Sequence, residues 1–336
     1  MADKIQQVYV IQGRSPRDYS DCQTALAQLP MRMTVLPFIA TEEEVIARAR
    51  DAAALVVTYS PVGRKVMSAL KDLKVVVRTG VGYDVIDIPA ATELGVVAVN
   101  IPDVWVREVA NHTMALLLAW NRKIITLDRN VHAGSWGAGI PGAWTGSVYG
   151  ETVGIVGLGN IGSAFARRVA AFETSVIAHD PYVADAHFKA LGVERVSLET
   201  LAQRADYVSV HTPLNAETRH LINEAFLHRM KPTAMLINTA RGPVVDERAL
   251  AQALTQKRLA GAALDVWERE PVASDNPLLR MDNVIATPHA AFYSSSAVAR
   301  VPRRCGEEIA RVLTGQRPLN LVNPEVYAAG VALRAR

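Results

Sequence analysis

Short apolar, largely β-branched runs alternate with helical periodicities along most of the chain. In the first hundred residues the runs fall at 8–11, 33–36, 55–58, 75–78 and 96–99. Helical patterns lie between them. One, over 42–50, is opened by Thr41 with Glu44 three positions on, the signature of a capping box. A long apolar helix is predicted over 104–120, as the crossing between domains, and a second over 124–132; a stretch rich in Gly and Trp follows over 134–150. Alternation then resumes, with strands predicted at 152–156, 175–178, 207–211, 235–238, 261–264 and 284–286. A last helix is predicted from 297 to 313, with Gly315 placed to end it. Alternation of this kind predicts parallel α/β layers, the second of them doubly wound.

The sharpest local signal is Gly157-Leu158-Gly159-Asn160-Ile161-Gly162, a Gly-x-Gly-x-x-Gly turn between a predicted strand and a predicted helix. A dinucleotide pyrophosphate needs a sharp bend, a backbone clear of side chains and helix N-terminal amides with partial positive charge. Gly157, Gly159 and Gly162 can supply the bend and the bare backbone, and the amides near Asn160 and Ile161 the charge. Glycines also cluster in ordinary loops, so Asp180, which ends the next apolar run, adds weight. A carboxylate there would accept from adenosine ribose hydroxyls and repel a 2′-phosphate, while Pro181 and Tyr182 bring no arginine to attract one. The expected cofactor is NAD rather than NADP; taken alone, Asp180 also fits a surface turn.

Length and composition set the frame. At 336 residues the chain exceeds the usual reach of one core, so two domains are expected. Half the residues are apolar, which argues against disorder, and a net charge of +3 with scattered basic residues gives no reason to expect nucleic acid. Cys22 and Cys305 stand at opposite ends without metal or disulfide spacing; both are expected to be buried apolar fillers, and no metal is expected. The start lacks the apolar run of a signal peptide and the longest apolar stretch, 114–120, is far short of a membrane span, so a cytoplasmic setting without membrane partners is expected. The last dozen residues, ending Ala329-Gly330-Val331-Ala332-Leu333-Arg334-Ala335-Arg336, read as a loosely held tail.

In an open parallel sheet, ligands sit beyond the carboxyl ends of the strands. Arg241, Glu270 and His289 each follow such an end. Singly they also fit a solvated turn, a surface loop and a satisfied strand-end histidine. Together, on the side where the glycine turn places a cofactor, they suit hydride transfer at a 2-oxo or 2-hydroxy acid. His289 would be the acid/base, Glu270 would orient it and favour its protonated form, and Arg241 would grip the substrate carboxylate and polarise the carbonyl. A second polar cluster, Arg78-Thr79-Gly80-Val81-Gly82-Tyr83-Asp84, ends an N-terminal run; the Val81 and Gly82 amides with Arg78 would hold the substrate carboxylate from the other domain, or form only a turn.

With these segments in order, the chain resembles the D-isomer-specific 2-hydroxyacid dehydrogenase family, the group containing phosphoglycerate dehydrogenase and glyoxylate or hydroxypyruvate reductases. The likeness runs over about 55–324 and is carried by RTGVGYD (from Arg78), GLGNIG (from Gly157), HDPY (from His179), NTARGPVVDE (from Asn238), GAALDVWEREP (from Gly261) and TPHAAFYS (from Thr287). It implies two Rossmann-like, doubly wound parallel-sheet domains, with an NAD-binding domain over 104–294 inserted into a discontinuous substrate domain of 1–103 and 295–336. It also implies a catalytic trio of Arg241, Glu270 and His289, with NAD held by Asn160, Ile161, Asp180, Thr212, Thr239 and Asp265. Members are typically homodimers paired through the cofactor domain, with domain closure expelling water.

The run after His289 is similar to that of the C-terminal binding proteins, NADH-sensing co-repressors, which carry Trp where this chain has Phe292. A bulky aromatic there would face the substrate and favour apolar 2-oxo acids. Two classes of function stand: an NAD-dependent D-2-hydroxyacid dehydrogenase, or a binding module in which NAD(H) drives dimerisation and partner recruitment. The complete trio and the lack of an extended tail favour the enzyme. A dehydrogenase of another small anion is a further alternative; against formate stands Glu270, where formate enzymes carry an amide.

Overall fold

The computed structural model describes residues 5–13, 15–137, 146–328 and 331–334. The chain divides into two compact units, Met1–Trp105 with Ser294–Arg336, and Val106–Tyr293. In the first, β1 (Gln6–Ile11), α1 (Ser20–Leu26), β2 (Met31–Leu36), α2 (Glu42–Arg48), β3 (Ala52–Val57), α3 (Arg64–Ala69), β4 (Val75–Arg78), α4 (Ile88–Glu93) and β5 (Val97–Val99) alternate. The strands pair in parallel in the order β2-β1-β3-β4-β5. β3 begins three residues before the apolar run that predicts it. Alanine is an indifferent strand former, but Ala52, Ala53 and Ala54 are buried, and burial rather than propensity sets the start. α2 opens as its sequence predicts, with the Thr41 side chain accepting from the Glu44 amide; Glu44's carboxylate pairs with Arg48 one turn on.

The second unit runs α5 (Val106–Asn121), α6 (Ile124–His132), β6 (Thr152–Val156), α7 (Asn160–Ala170), β7 (Ser175–His179), α8 (Asp185–Leu191), β8 (Glu194–Arg195), α9 (Leu198–Arg204), β9 (Tyr207–Val210), α10 (Glu224–Arg229), β10 (Met235–Asn238), α11 (Glu247–Thr255), β11 (Gly261–Leu264) and β12 (Val284–Ala286). Its sheet is parallel throughout, in the order β12-β11-β10-β9-β6-β7-β8. The chain moves outward from β6 through β7 to β8, then returns to add β9 on the other side of β6. The carboxyl ends of β6 and β9, paired as far as Val156 and Val210, therefore flank the switch point where ligands bind in doubly wound sheets. Apolar clusters cover both faces, one around Leu236 and Leu250, the other around Phe165 and Ile155. Of the stretch rich in Gly and Trp, residues 138–145 lie outside the described residues.

α12 (Ser295–Leu313) belongs to the first unit; Ser294 caps its start and Gly315, at φ +79°, follows its end. It packs on α1 so closely that a Cβ on Gly306 would stand 2.8 Å from the Cys22 carbonyl oxygen. Cys22 and Cys305 are free and fully buried there. Burial pushes the Cys22 thiol up to about 12 and the Cys305 thiol well above its ordinary value, which makes both inert apolar fillers. The tail expectation fails at Arg334. Its amide donates to Gly95 O, and its guanidinium donates to the Met67 and Leu70 carbonyls at 2.9 and 2.8 Å, capping the C-terminal end of α3. Residues 329, 330, 335 and 336 lie outside the described residues. Among the described residues no helix is long and apolar enough to cross a membrane.

Candidate active site

The glycine turn joins β6 to α7, and each glycine has its own reason. Gly157 holds φ +94°, and a Cβ on it would lie 2.9 Å from the His211 carbonyl carbon. A Cβ on Gly162 would fall 2.1 Å from Gly157 O, so only glycine lets α7 start this close to the turn. Gly159 is different: a Cβ there meets nothing within 4 Å. Its bareness serves no protein contact and leaves a cradle at the start of α7. Among the described residues no side chain caps that helix, so the Asn160 and Ile161 amides face the same space without a side-chain acceptor there. This is the arrangement a dinucleotide pyrophosphate fits.

Asp180 follows β7 and is half-buried. One carboxylate oxygen accepts from the Tyr182 and Val183 amides, and the other accepts from Leu158 N at 2.8 Å, inside the glycine turn. Asp180 therefore braces the turn, and the second oxygen retains an acceptor position for a hydroxyl. Thr212, beyond β9, has a hydroxyl sealed from solvent with no hydrogen-bond partner among the described residues, as expected of a group that meets a ligand. The Thr239 hydroxyl, in contrast, is taken by Thr113 at 2.8 Å. Beneath the turn, His211 bonds Ser209 at 2.9 Å and packs on Phe165; desolvation lowers its pKa to about 3.

The expected trio gathers at the ends of β10, β11 and β12. Asn238, fully buried, accepts from Ala240 N and donates to Arg241 O, which shapes the turn that carries Arg241 out of the sheet. A Cβ on Gly242 would fall 1.9 Å from the Trp267 carbonyl carbon, so this turn lies directly on the loop that carries Glu270. Glu270 accepts from Trp267 N at 3.1 Å and from His289 Nδ1 at 2.7 Å. Burial opposes its ionisation, but the His289 hydrogen bond and charge, the Trp267 amide and the Arg241 charge together hold its carboxyl below the usual range. The Phe292 ring meets the His289 ring edge-on at 5.9 Å.

His289 itself stands in the left-handed region at φ +53°. A non-glycine residue there costs on the order of 1 kcal/mol or more. Asp265 offsets that cost. Its backbone carbonyl accepts from His289 N at 2.7 Å, and its side chain, with no exposed surface, accepts from Ala290 N, Ala291 N and the Thr287 hydroxyl. Bonds to a buried carboxylate are each worth about 1.5–3 kcal/mol, enough to enforce the turn. The resemblance places Asp265 at the cofactor; the structure gives its carboxylate to protein donors behind the 287–291 turn. Neither this bracing nor His112, which bonds Thr287 at 3.2 Å, is foreseen by the sequence reading, because each partner lies far off in sequence.

Arg78, Val81 and Gly82 belong to the first unit, at the end of β4. The Arg78 guanidinium folds across Gly80, where a Cβ would fall 1.5 Å from Nη1. Donors further along hold three successive carbonyls: Trp105 Nε1 to Thr79 O, Ile101 N to Gly80 O and Asn100 Nδ2 to Val81 O.

Residues 114–291 match the family described as D-isomer specific 2-hydroxyacid dehydrogenase, NAD binding domain. A glyoxylate reductase of Korarchaeum cryptofilum is 42% identical over 289 residues, 85% of this chain and 87% of that protein. A D-3-phosphoglycerate dehydrogenase of Methanocaldococcus jannaschii is 40% identical over 84% of this chain but only 54% of that longer protein. Among solved structures, a glyoxylate reductase from Paecilomyes thermophila superposes with a TM-score of 0.85 at 28% identity, covering 96% of this chain and 99% of that one. With the cradle, the strand-end trio and this similarity over most of its length, the chain belongs to the D-isomer-specific 2-hydroxyacid dehydrogenase family and is an NAD-dependent enzyme of it.

Proposed function

We propose that this enzyme reduces small 2-oxo acids to D-2-hydroxy acids, reversibly, with His289 as acid/base, Glu270 orienting it and Arg241 holding the substrate carboxylate. The observation that carries the reading is the 2.7 Å bond between His289 Nδ1 and Glu270, formed under the charge of Arg241. A carboxylate can only accept, so Nδ1 carries a proton and Nε2 is the atom that exchanges one with substrate. In reduction, Nε2 donates to the developing alkoxide and Glu270 stabilises the imidazolium beforehand; in oxidation, Nε2 takes the hydroxyl proton. Arg241 neutralises the substrate carboxylate and polarises the adjacent carbonyl. Bound NAD(H) supplies the hydride chemistry.

The residues fitted to hold the cofactor are Gly157, Gly159, Asn160, Ile161, Gly162, Asp180 and Thr212, with Thr239, whose hydroxyl proton goes to Thr113, and Asp265 acting from behind. The Val81 and Gly82 amides and Arg78 bind the substrate carboxylate, which makes the first unit the substrate domain. Phe292, edge-on to His289, makes an apolar wall suited to substrates with a small or apolar group at C3. Similarity to a glyoxylate reductase over nearly its whole length supports a small substrate such as glyoxylate or hydroxypyruvate. We further propose a homodimer: α6 buries none of its residues within the chain, and Ile124, Val131 and Trp136 are exposed apolar groups.

The test is a panel of glyoxylate, hydroxypyruvate, pyruvate, phenylpyruvate and phosphohydroxypyruvate followed by NADH absorbance. Reduction of the small 2-oxo acids, with phosphohydroxypyruvate poorest, is expected. No reduction of any of them would overturn the reading in favour of an NADH-sensing binding module.

A further inference from the structure

The buried carboxylate behind the catalytic turn leads outward to a second histidine. We propose that His112 of α5 is a positioning residue for His289, acting through Thr287 and Asp265. The inference rests on His289 being the acid/base.

The proton directions follow from valence. Asp265 Oδ1 accepts from the Thr287 hydroxyl at 2.5 Å, and a carboxylate has nothing to donate in return. The single hydroxyl proton is therefore committed to Asp265, and a Thr287 oxygen lone pair faces His112 Nε2 at 3.2 Å. His112 Nε2 must then carry hydrogen and donate. The path is ordered: His112 Nε2 to Thr287 Oγ1, Thr287 Oγ1 to Asp265 Oδ1. Nε2 also stands 3.6 Å from Asp265 Oδ1, which places a donor beside a carboxylate with no access to water.

What this fixes is the 287–291 turn. Asp265 meets it at the His289, Ala290 and Ala291 amides, and Trp267 Nε1 donates to Thr287 O at 3.2 Å. A hydroxyl held from both sides cannot rotate away, so Oδ1 stays aligned with the Ala290 amide and the strained His289 backbone keeps its aim at Glu270. The next residue of α5 does the matching task for the neighbouring loop: the Thr113 hydroxyl donates to Val109 O and therefore accepts from Thr239, two residues before Arg241. Two consecutive helix residues thus brace the loops that carry His289 and Arg241.

The test compares His112→Ala, His112→Gln, Thr287→Val and His289→Ala in the full-length enzyme, by kcat and KM for glyoxylate and by NADH affinity from fluorescence. A glutamine amide can donate from near the position of Nε2, whereas alanine cannot. His112→Ala is expected to lower kcat about tenfold or more while NADH affinity stays within about twofold; His112→Gln recovers most of the loss, and Thr287→Val reproduces it. The proposal is overturned if His112→Ala keeps the parent kcat, or if His112→Gln falls as far as His112→Ala. Loss of turnover in His289→Ala beside an unaffected His112→Ala sinks only this inference; turnover retained in His289→Ala sinks the acid/base reading as well.

Discussion

Each unit ends a parallel strand in a glycine loop, yet the two loops follow different rules. In the second unit, β6 turns through Gly157 straight into an 11-residue helix, and the glycines serve close backbone approach. The charge there is the helix's own, carried by uncapped amides, and it suits an extended diphosphate. In the first unit, β4 is followed by no immediate helix; the loop lays an arginine over Gly80 and satisfies its carbonyls from residues 100–105. The charge there is a formal guanidinium, suited to the compact carboxylate of a small acid. Under the proposed function, the same residue type serves two anion sites, one where a helix begins and one where a side chain needs room to fold back.

If that contrast is right, the loops break differently. The largest effect is expected from Gly162→Val, whose Cβ collides with backbone at Gly157 O: NADH affinity falls by about a hundredfold or more in a fluorescence titration. Unchanged affinity would show that the turn is not the pyrophosphate cradle. Arg78→Met should raise KM for the 2-oxo acid roughly 10- to 100-fold and leave NADH affinity alone, as loss of a charged hydrogen bond to a carboxylate requires. A matching drop in NADH affinity would erase the distinction between the loops. Gly80→Ala meets first the movable Arg78 guanidinium, so a milder rise in KM, about tenfold or less, is expected without loss of fold.

The smallest effect is a difference in acid sensitivity. His211, which presses on Gly157, is held neutral with its pKa lowered to about 3, whereas an unfolded histidine titrates near 6.5. Between those values the unfolded chain binds more protons. The stability due to neutral His211 is thus complete above about pH 6.5 and is lost as pH falls toward 3, at up to about 1.4 kcal/mol per pH unit. Glu270, held below its ordinary range, works in the same direction at lower pH. Arg78 keeps its charge throughout. Denaturation curves from pH 4 to 8 should therefore flatten in His211→Gln; a slope equal to the parent's would show that His211 is not the group responsible.

Much of this was legible in the sequence, for identifiable reasons. Strand cores at 75–78, 235–238 and 261–264 announce themselves because the runs are continuous and bounded by turn residues, and the strands occupy those positions. Strand starts were less legible where burial overrides propensity, as at Ala52. The candidate site residues could be picked out from motifs, since Gly157 to Gly162, Arg241, Glu270 and His289 lie in short local patterns. The bracing behind them could not. His112 meets Thr287 and Thr113 meets Thr239 across more than a hundred residues, through pairings that only the packing of α5 on the sheet creates. Arg334 was misread as tail for the same reason, its partners being carbonyls at the end of α3.

The most direct measurement is turnover and NADH affinity on one preparation of His289→Ala, with the parent enzyme alongside. The account predicts reduction of a small 2-oxo acid lowered by about 10²- to 10⁴-fold, the usual worth of a positioned acid/base, with NADH affinity essentially unchanged because His289 lies outside the glycine cradle. Turnover near the parent's, or loss of NADH binding in step with turnover, would contradict it.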